Sequence, residues 1–485
     1  MNQLHVFFFP YLAHGHMIPT LEMAKLFASR GVQATMIVTP GFVEPVENAR
    51  KSGFNIGIHV IKFPPEESGL PDGITSADQI KSDDMFPKFV KSMELLQEPV
   101  EKLLEEFRPD CLVADMFFPW ATDTAAKFDI PRLLFHGTSF LALCTSQHMR
   151  IYKPYKNVSS DSEEFVLPNL PHQLKFTRTQ VPDFAREEIV NEITKLLTKV
   201  YESETRSYGV LFNSFYELEP DYADHYRKVL RRNAWHIGPL LLCNKEGEDF
   251  KAQRGKESAI DEHECLEWLN SKEPNSVVYI CFGSIATFTA KQLYEIAKGL
   301  EISGQKFIWV VREGKNQDEN ENWLPEGFEE RTKDKGLIIR GWAPQLLILE
   351  NKAIGGFVTH CGWNSTLEGV CSGVPMVTWP VFAEQFYNEK LVTEVLRIGV
   401  SVGSKQWKRV ASEGVEREAI ALGIRKIMEG EEGAEMRRRA QECKEQARKA
   451  VEEDGSSYTD LSALLQELNT YRLGVNTLKF NNCSI

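Results

Sequence analysis

Residues 4–9, LHVFFF, form a short unbroken apolar run that halts at Pro10, and the residues after it change period. Between 17 and 30, Ile18, Leu21, Ala24 and Ala28 share one face of a 3.6-residue repeat, with Glu22, Lys25 and Ser29 on the other. Gly31 stands where that helix should stop, since it enters the left-handed conformation without a Cβ penalty. A second, largely apolar run, 33–38 (QATMIV), follows at once. Strand, helix and strand in this order bring the second strand back parallel to the first through a right-handed crossover. The opening of the chain therefore predicts a doubly wound α/β domain with its strands buried on both faces.

The alternation continues. Runs at 110–114 (DCLVA) and 132–135 (RLLF) read as further strands of the first sheet. A second set appears at 277–282, 306–311, 337–340, 354–359 and 376–379, separated by helical patterns, notably 289–302 and 385–397. At 485 residues the chain exceeds the length over which one apolar core keeps growing. Two α/β domains are expected, residues 1–242 and 261–455, joined by a charged span at 243–260 (CNKEGEDFKAQRGKESAI) that reads as a linker. Open sheets of this kind bind ligands beyond the carboxyl ends of their strands, so the site is expected in the cleft between the domains.

A formal charge of −13 argues against nucleic acid or an anionic membrane as partner. Nine cysteines, odd in number and irregularly spaced, suit reduced thiols in the cytoplasm. The first apolar run is too short for a signal peptide and has no basic residues before it. No stretch approaches the roughly 20 apolar residues that span a bilayer. An acidic chain that holds an anion must rely on local donors.

Such donors are found between Trp342 and Gln385 (WAPQLLILENKAIGGFVTHCGWNSTLEGVCSGVPMVTWPVFAEQ). Its apolar core, IGGFVT, reads as a strand that ends at His360, Cys361 and Gly362 and opens a helix through Trp363, Asn364 and Ser365. Free N–H groups and the helix dipole at such a start form an anion site. Trp342 can stack on a base, Glu368 can accept bonds from a ribose diol, and Glu384 and Gln385 can grip sugar hydroxyls. Cys361, beside the anion site, reads as a buried small hydrophobe.

This segment resembles the donor-binding signature of plant UDP-dependent glycosyltransferases that act on small molecules. Trp342, Gln345, His360, Gly362, Trp363, Asn364, Ser365, Glu368, Pro380, Glu384 and Gln385 all match, and the likeness runs from HVFFFPYLAHGHMIP to the C-terminal helix. The resemblance implies the GT-B arrangement, two Rossmann-like domains with an interdomain cleft. It also implies that the C-terminal helix, from about 456, crosses back onto the first domain; the tail after Leu473 carries no clear pattern and suits disorder. By the same resemblance Trp342 stacks on uracil, Ala343 presents its backbone to the base edge, and Gln345 and Glu368 hold the ribose. Ser284, His360, Asn364 and Ser365 surround the diphosphate, and Trp363, Glu384 and Gln385 orient the sugar. Gln at the last position implies glucose, where His implies galactose, and Trp363 stands where some relatives carry Arg for glucuronate. UDP-glucose is thus the expected co-substrate, with no further cofactor and no metal. Leaving-group charge is left to the helix start and its hydroxyls.

Transfer to a hydroxyl needs a base, and histidine suits neutral pH. His14 and His16 both follow the first strand; the resemblance selects His16, with Asp115 at the end of DCLVA as the partner that fixes its tautomer. Base and UDP on opposite faces of the sugar imply inversion, giving a β-glucoside. Structural alternatives are a purely structural histidine, a His-x-His metal pair without a third ligand, Asp115 as a helix cap, Asp123 as the partner instead, and Trp342 and Trp363 as core aromatics. MFFPW at 116–120 and FHGTSF at 135–140 suit a flat or bulky hydrophobic acceptor, with Thr138 or Ser139 able to reach the sugar. The resemblance covers flavonoid, phenolic, triterpenoid and steroid acceptors and leaves them open, as it does C- or N-transfer. A monomer is expected. Of the rival classes, a nicotinamide-dependent oxidoreductase lacks its glycine fingerprint in PYLAHGHMIP, whereas a non-catalytic binder or an epimerase of the same architecture stays open.

Overall fold

In the computed structural model, which describes residues 3–80, 82, 84–243, 258–283, 286–311, 323–408, 410–411 and 414–482, the strands gather into two separate parallel sheets. The first begins with β1 (His5–Phe9), β2 (Gln33–Val38), β3 (Ile56–Val60), β4 (Cys111–Asp115) and β5 (Arg132–Phe135). A small antiparallel hairpin, β6 (Glu164–Val166) and β7 (Lys175–Thr177), intervenes before β8 (Gly209–Phe212) and β9 (Ala234–His236) complete the sheet. Its order is β3-β2-β1-β4-β5-β8-β9. The second sheet is built from β10 (Val277–Cys281), β12 (Lys306–Val311), β13 (Gly336–Arg340), β14 (Ile354–Thr359), β15 (Met376–Thr378) and β16 (Gly399–Ser401), in order β13-β12-β10-β14-β15-β16. Two short strands, β11 (Thr287–Phe288) and β17 (Val410–Ala411), pair beside it.

Each sheet grows outward from its first strand and then resumes on that strand's other side. The reversal falls between β1 and β4 in one domain and between β10 and β14 in the other. At such a reversal the connections leave in opposite directions and open a crevice at the carboxyl ends. Register decides which residues reach it. Phe9 pairs with Ala114, so Asp115 projects one residue past the end of β1, and Cys281 pairs with Thr359, which brings His360 level with Phe282.

The first helix starts at His14, earlier than the periodicity from residue 17 suggests, so His16 lies in its opening turn with Pro19 inside it. The strands β3, β8, β9 and β16 were not legible as apolar runs: β3 is half-buried along most of its length, and the other three are only three or four residues long. The helix predicted at 385–397 closes at Lys390 and finishes as a π-helical turn, Leu391–Val395. Of the span read as a linker, residues 244–257 lie outside the described residues.

The C-terminal helix, Ser456–Asn482, continues beyond Leu473, where sequence pattern ends. Leu461, Leu464 and Leu468 join the same apolar cluster as Phe7, Phe8 and Phe9 of the first domain. Asp460 accepts bonds from Arg227 at 2.6 Å and from the His236 N–H at 3.0 Å, and the Arg30 guanidinium lies 3.8 Å over the Tyr458 ring. Another cluster runs through both domains, with Phe140, Phe212 and Tyr226 from the first and Trp363, Leu367 and Val370 from the second. This apolar continuity fixes the two sheet ends face to face.

Candidate active site

The His16 ring sits at the β1–β4 reversal, where Asp115 Oδ2 accepts its Nδ1–H at 2.7 Å. Asp115 Oδ1 accepts the Phe117 N–H at 3.0 Å, so both carboxylate oxygens are engaged and the side chain is fully buried. A ring held at Nδ1 by an acceptor carries its proton there and leaves Nε2 free to take another. Burial pushes the His16 pKa down, but the charge and hydrogen bond of Asp115, assisted by Glu384 and Asp78, outweigh it and leave it raised. Tyr11 and Phe117 wall the imidazole, with ring centroids 5.1 and 5.8 Å away.

His14 points elsewhere. Its ring and its N–H both bond Asp78 Oδ2, the latter at 3.0 Å, so each histidine of His-x-His has its own carboxylate. Among the described residues no group of three or more His, Cys, Asp or Glu is placed to hold a metal ion. Asp123 pairs with Arg206 on the surface and is not a partner of His16.

Sequence reading missed what stands behind Asp115. Arg132 is 2% exposed and donates to the carbonyls of Asp115 at 2.9 Å and Ala114 at 3.2 Å, and to the Thr122 hydroxyl at 2.8 Å. Burial lowers its pKa to about 10, against the opposing charges of Asp115 and Glu204. Glu204 in turn accepts from His136 at 2.8 Å and from the Tyr226 hydroxyl at 2.7 Å. A buried charge needs such compensation, and here it locks the strand end that carries Asp115. The signal was present as an arginine inside an apolar run, R-L-L-F.

In the second domain, Cys361 takes φ +64 and turns the chain sharply between β14 and the helix Trp363–Ser372. Its side chain is fully buried, as a small hydrophobe should be. The His360 ring lies between two glycines: a Cβ at Gly283 would meet its Cε1 at 2.4 Å, and one at Gly362 its Nε2 at 2.5 Å. The helix starts on Gly362 with no side-chain cap from that residue; of its first-turn donors, the Trp363 N–H is taken by Glu384. Ser284 lies outside the described residues.

Gln345 brings the next group together. Its Nε2 donates to Glu368 at 2.6 Å and to Ser365 at 3.1 Å, while its Oε1 accepts from Tyr279 at 3.3 Å. Trp342 is half-buried at the preceding turn, its indole N–H unpartnered among the described residues, with Ala343 beside it. Trp363 is 2% exposed, and its indole N–H donates to the Asn213 carbonyl across the cleft at 2.8 Å. That side chain is a domain contact with no donor left for a sugar. Asn364 Nδ2 also crosses, to the Gly15 carbonyl at 2.7 Å.

Glu384 faces His16 closely enough for the two charges to interact. Burial raises its pKa, opposed by backbone N–H groups, including that of Trp363, and by His16. The Gln385 Oε1 accepts the N–H groups of Val381 at 2.8 Å and Phe382 at 3.0 Å, so only its NH₂ end remains for a ligand. Two further residues unmarked in the sequence brace this turn. Asn388 donates to the Cys361 carbonyl at 2.9 Å and accepts from Ser139 of the first domain at 3.1 Å. Trp407 donates its indole N–H to the Ala383 carbonyl at 3.1 Å.

The aromatic stretches divide. Phe118, Phe135 and Phe140 are core, with Phe140 stacked on Phe212 at 3.4 Å. Phe117 and Trp120 instead line a cavity of about 390 Å³ with Val90, Met93 and Leu196. Ser139 is engaged as a helix cap and with Asn388, whereas the buried Thr138 hydroxyl has no partner among the described residues. No helix among the described residues is long and apolar enough to cross a membrane.

The family model described as "UDP-glucoronosyl and UDP-glucosyl transferase" matches residues 75–424. A scopoletin glucosyltransferase from Nicotiana tabacum is 63% identical over 475 residues, covering 97% of this chain and 99% of its own length. An anthocyanin 3'-O-beta-glucosyltransferase from Gentiana triflora is 58% identical over 480 residues, covering 97% and 99%. Among solved structures, a Glycyrrhiza uralensis glycosyltransferase complexed with glycyrrhetinic acid 3-O-monoglucuronide superposes with a TM-score of 0.91 at 40% identity, covering 100% of this chain and 99% of that one. The two-sheet fold, the turn at His360–Ser365 and these matches converge: the chain belongs to the UDP-glucoronosyl and UDP-glucosyl transferase family.

Proposed function

We propose that the protein is an inverting glucosyltransferase that moves glucose from UDP-glucose to a hydroxyl of a hydrophobic plant metabolite, giving a β-glucoside. The observation that carries this reading is the placement of the His16–Asp115 pair at one sheet's reversal, opposite the His360–Ser365 turn of the other, with Glu384 between them. His16 Nε2 takes the acceptor proton as the hydroxyl oxygen bonds to the anomeric carbon and the bond to UDP breaks. Asp115 stabilises the imidazolium so formed. His360, Asn364, Ser365, Ser284 and the free N–H groups of the helix start receive the negative charge on the departing diphosphate. Trp342 and Ala343 take the uracil, Gln345 and Glu368 the ribose, and Glu384, the Gln385 NH₂ and Thr138 the sugar. Trp363 contributes by holding Glu384 through its N–H.

Relatives named for scopoletin, an anthocyanin and a flavonoid support a phenolic acceptor, and Phe117, whose ring stands beside His16, is an aromatic against which such a molecule can lie. We place the working protein as a monomer in the reducing cytoplasm, consistent with the free thiols of its described cysteines. Two domains, 1–242 and 261–455 with the C-terminal helix on the first, frame the cleft.

The test is incubation with UDP-glucose and a panel of phenolic, flavonoid and triterpenoid acceptors, read by mass spectrometry, with the anomeric configuration assigned by NMR. A β-glucoside on oxygen is expected. UDP binding without any product would identify a non-catalytic binder and defeat the proposal; a bond to carbon or nitrogen would correct its chemistry.

A further inference from the structure

Pro19 lies inside the helix His14–Ser29 rather than at its edge. A proline within a helix has no N–H for the carbonyl four residues back, and its ring crowds that carbonyl. Four residues back is Gly15. Its carbonyl has thereby lost its helical donor, yet it is paired: Asn364 Nδ2, at the start of the second domain's helix, donates to it at 2.7 Å. A Cβ at position 15 would lie 4.0 Å from Asn364 Nδ2, in ordinary contact, so the approach does not depend on glycine there.

The peptide that carries the Gly15 carbonyl also carries the N–H of His16. The imidazole is therefore held twice. Asp115 fixes the ring at Nδ1, and Asn364 fixes the peptide plane from the opposite domain. Trp363, the neighbour of Asn364, reaches the same way to the Asn213 carbonyl at 2.8 Å, so the helix start that faces the diphosphate is docked on the first domain by two adjacent side chains.

We propose that Pro19 is a positioning residue: by leaving the Gly15 carbonyl open to Asn364, it lets one hydrogen bond across the cleft align the diphosphate turn with the base. This rests on the glucosyl-transfer reading above. An amide NH₂ carries two hydrogens, so Asn364 keeps one for a phosphate oxygen after giving the other to Gly15. A single group then senses the donor and orients His16.

Pro19→Ala tests it. The new N–H at 19 shares the Gly15 carbonyl with Asn364 and draws it back toward the helix, weakening the bond across the cleft, and as a helix change the substitution is neutral or stabilising. Tm is expected to hold or rise, and UDP affinity by calorimetry to stay within about twofold, while kcat at saturating UDP-glucose falls roughly tenfold. Asn364→Ala alone also lowers kcat; in the Pro19→Ala background its effect on kcat shrinks, because both changes act on the same bond. An unchanged kcat in Pro19→Ala overturns the proposal. So does a kcat loss that accompanies a fall in Tm, or one fully additive with Asn364→Ala. If the unsubstituted protein binds no UDP or forms no glucoside, it is the functional reading that fails.

Discussion

Replacing Asp115 by Asn keeps the shape of the side chain, removes its charge and leaves it one acceptor oxygen in place of two. In the protein as it stands, Oδ2 serves His16 at 2.7 Å and Oδ1 serves the Phe117 N–H at 3.0 Å. If the Asn oxygen faces Phe117, its NH₂ meets His16 Nδ1, which must then accept and move its proton to Nε2. That nitrogen can no longer take a proton from the acceptor. If the oxygen faces His16 instead, two N–H groups oppose each other at Phe117, at about 1–3 kcal/mol for the unsatisfied donor. The first arrangement avoids that penalty and so dominates. Loss of a general base is worth roughly 10²–10⁴ in kcat, or about 2.7–5.5 kcal/mol of barrier.

The perturbation reaches Arg132 as well, which keeps Glu204 as its compensating charge but loses Asp115, so Tm should fall. The assay is initial rate at saturating UDP-glucose with a phenolic acceptor, followed by mass spectrometry from about pH 5 to 9, well below the variant's Tm. The unsubstituted enzyme needs neutral His16, whose pKa is raised, so its rate should climb with pH through a midpoint above the ordinary histidine value of about 6.5. UDP affinity should be unchanged, since Asp115 lies in the other domain. A kcat within about threefold of the original, at an unchanged midpoint, would refute the reasoning.

Trp342→Ala should weaken UDP by about 1–3 kcal/mol in calorimetry if the indole stacks on the base; unaltered affinity would remove it from the site. Gln385→His should raise UDP-galactose use relative to UDP-glucose and also lower the total rate, because the Gln carbonyl caps the N–H groups of Val381 and Phe382; a constant donor ratio would place selectivity elsewhere. His225 donates to His148 Nε2 at 2.9 Å, while His148 Nδ1 is committed to the Pro168 carbonyl at 2.9 Å, so another proton can enter the pair only at His225 Nδ1. Burial and then the His148 charge lower the His225 pKa. With its folded value below its unfolded value of about 6.5, stability should be full above that pH and decline as pH falls through the window beneath it. His225→Asn should flatten this decline in thermal melts, and an identical slope would absolve the pair.

The legible parts of the site were those where chemistry is written locally. The turn His360–Ser365 announced itself because strand, small residues and helix start are consecutive, and β14 was read with the residues it has, Ile354–Thr359. Most strands inside the sheets were equally plain, since burial on both faces leaves an apolar run; β8, four residues long and as fully buried, was missed. Arg132, Asn388, Trp407 and Pro19 were not legible, because each acts on a residue far along the chain or through the backbone. Trp363 shows the converse: the motif placed it near the sugar without saying which of its atoms, and packing assigned its indole to Asn213.

The order of apolar runs and helical repeats determined by itself that this chain would form two parallel sheets, for a strand followed by an amphipathic helix can return only one way. Most of the residues proposed to meet a nucleotide stand together there too, in the one stretch Trp342–Gln385. How the sheets face each other, and therefore which imidazole meets which carboxylate, was decided only in the tertiary structure. Register placed Asp115 beyond β1, a shared apolar cluster closed the cleft, and a carbonyl freed by proline found its donor 349 positions away along the chain. Such contacts join residues with no local signature, and their energies exist only once the intervening chain has folded.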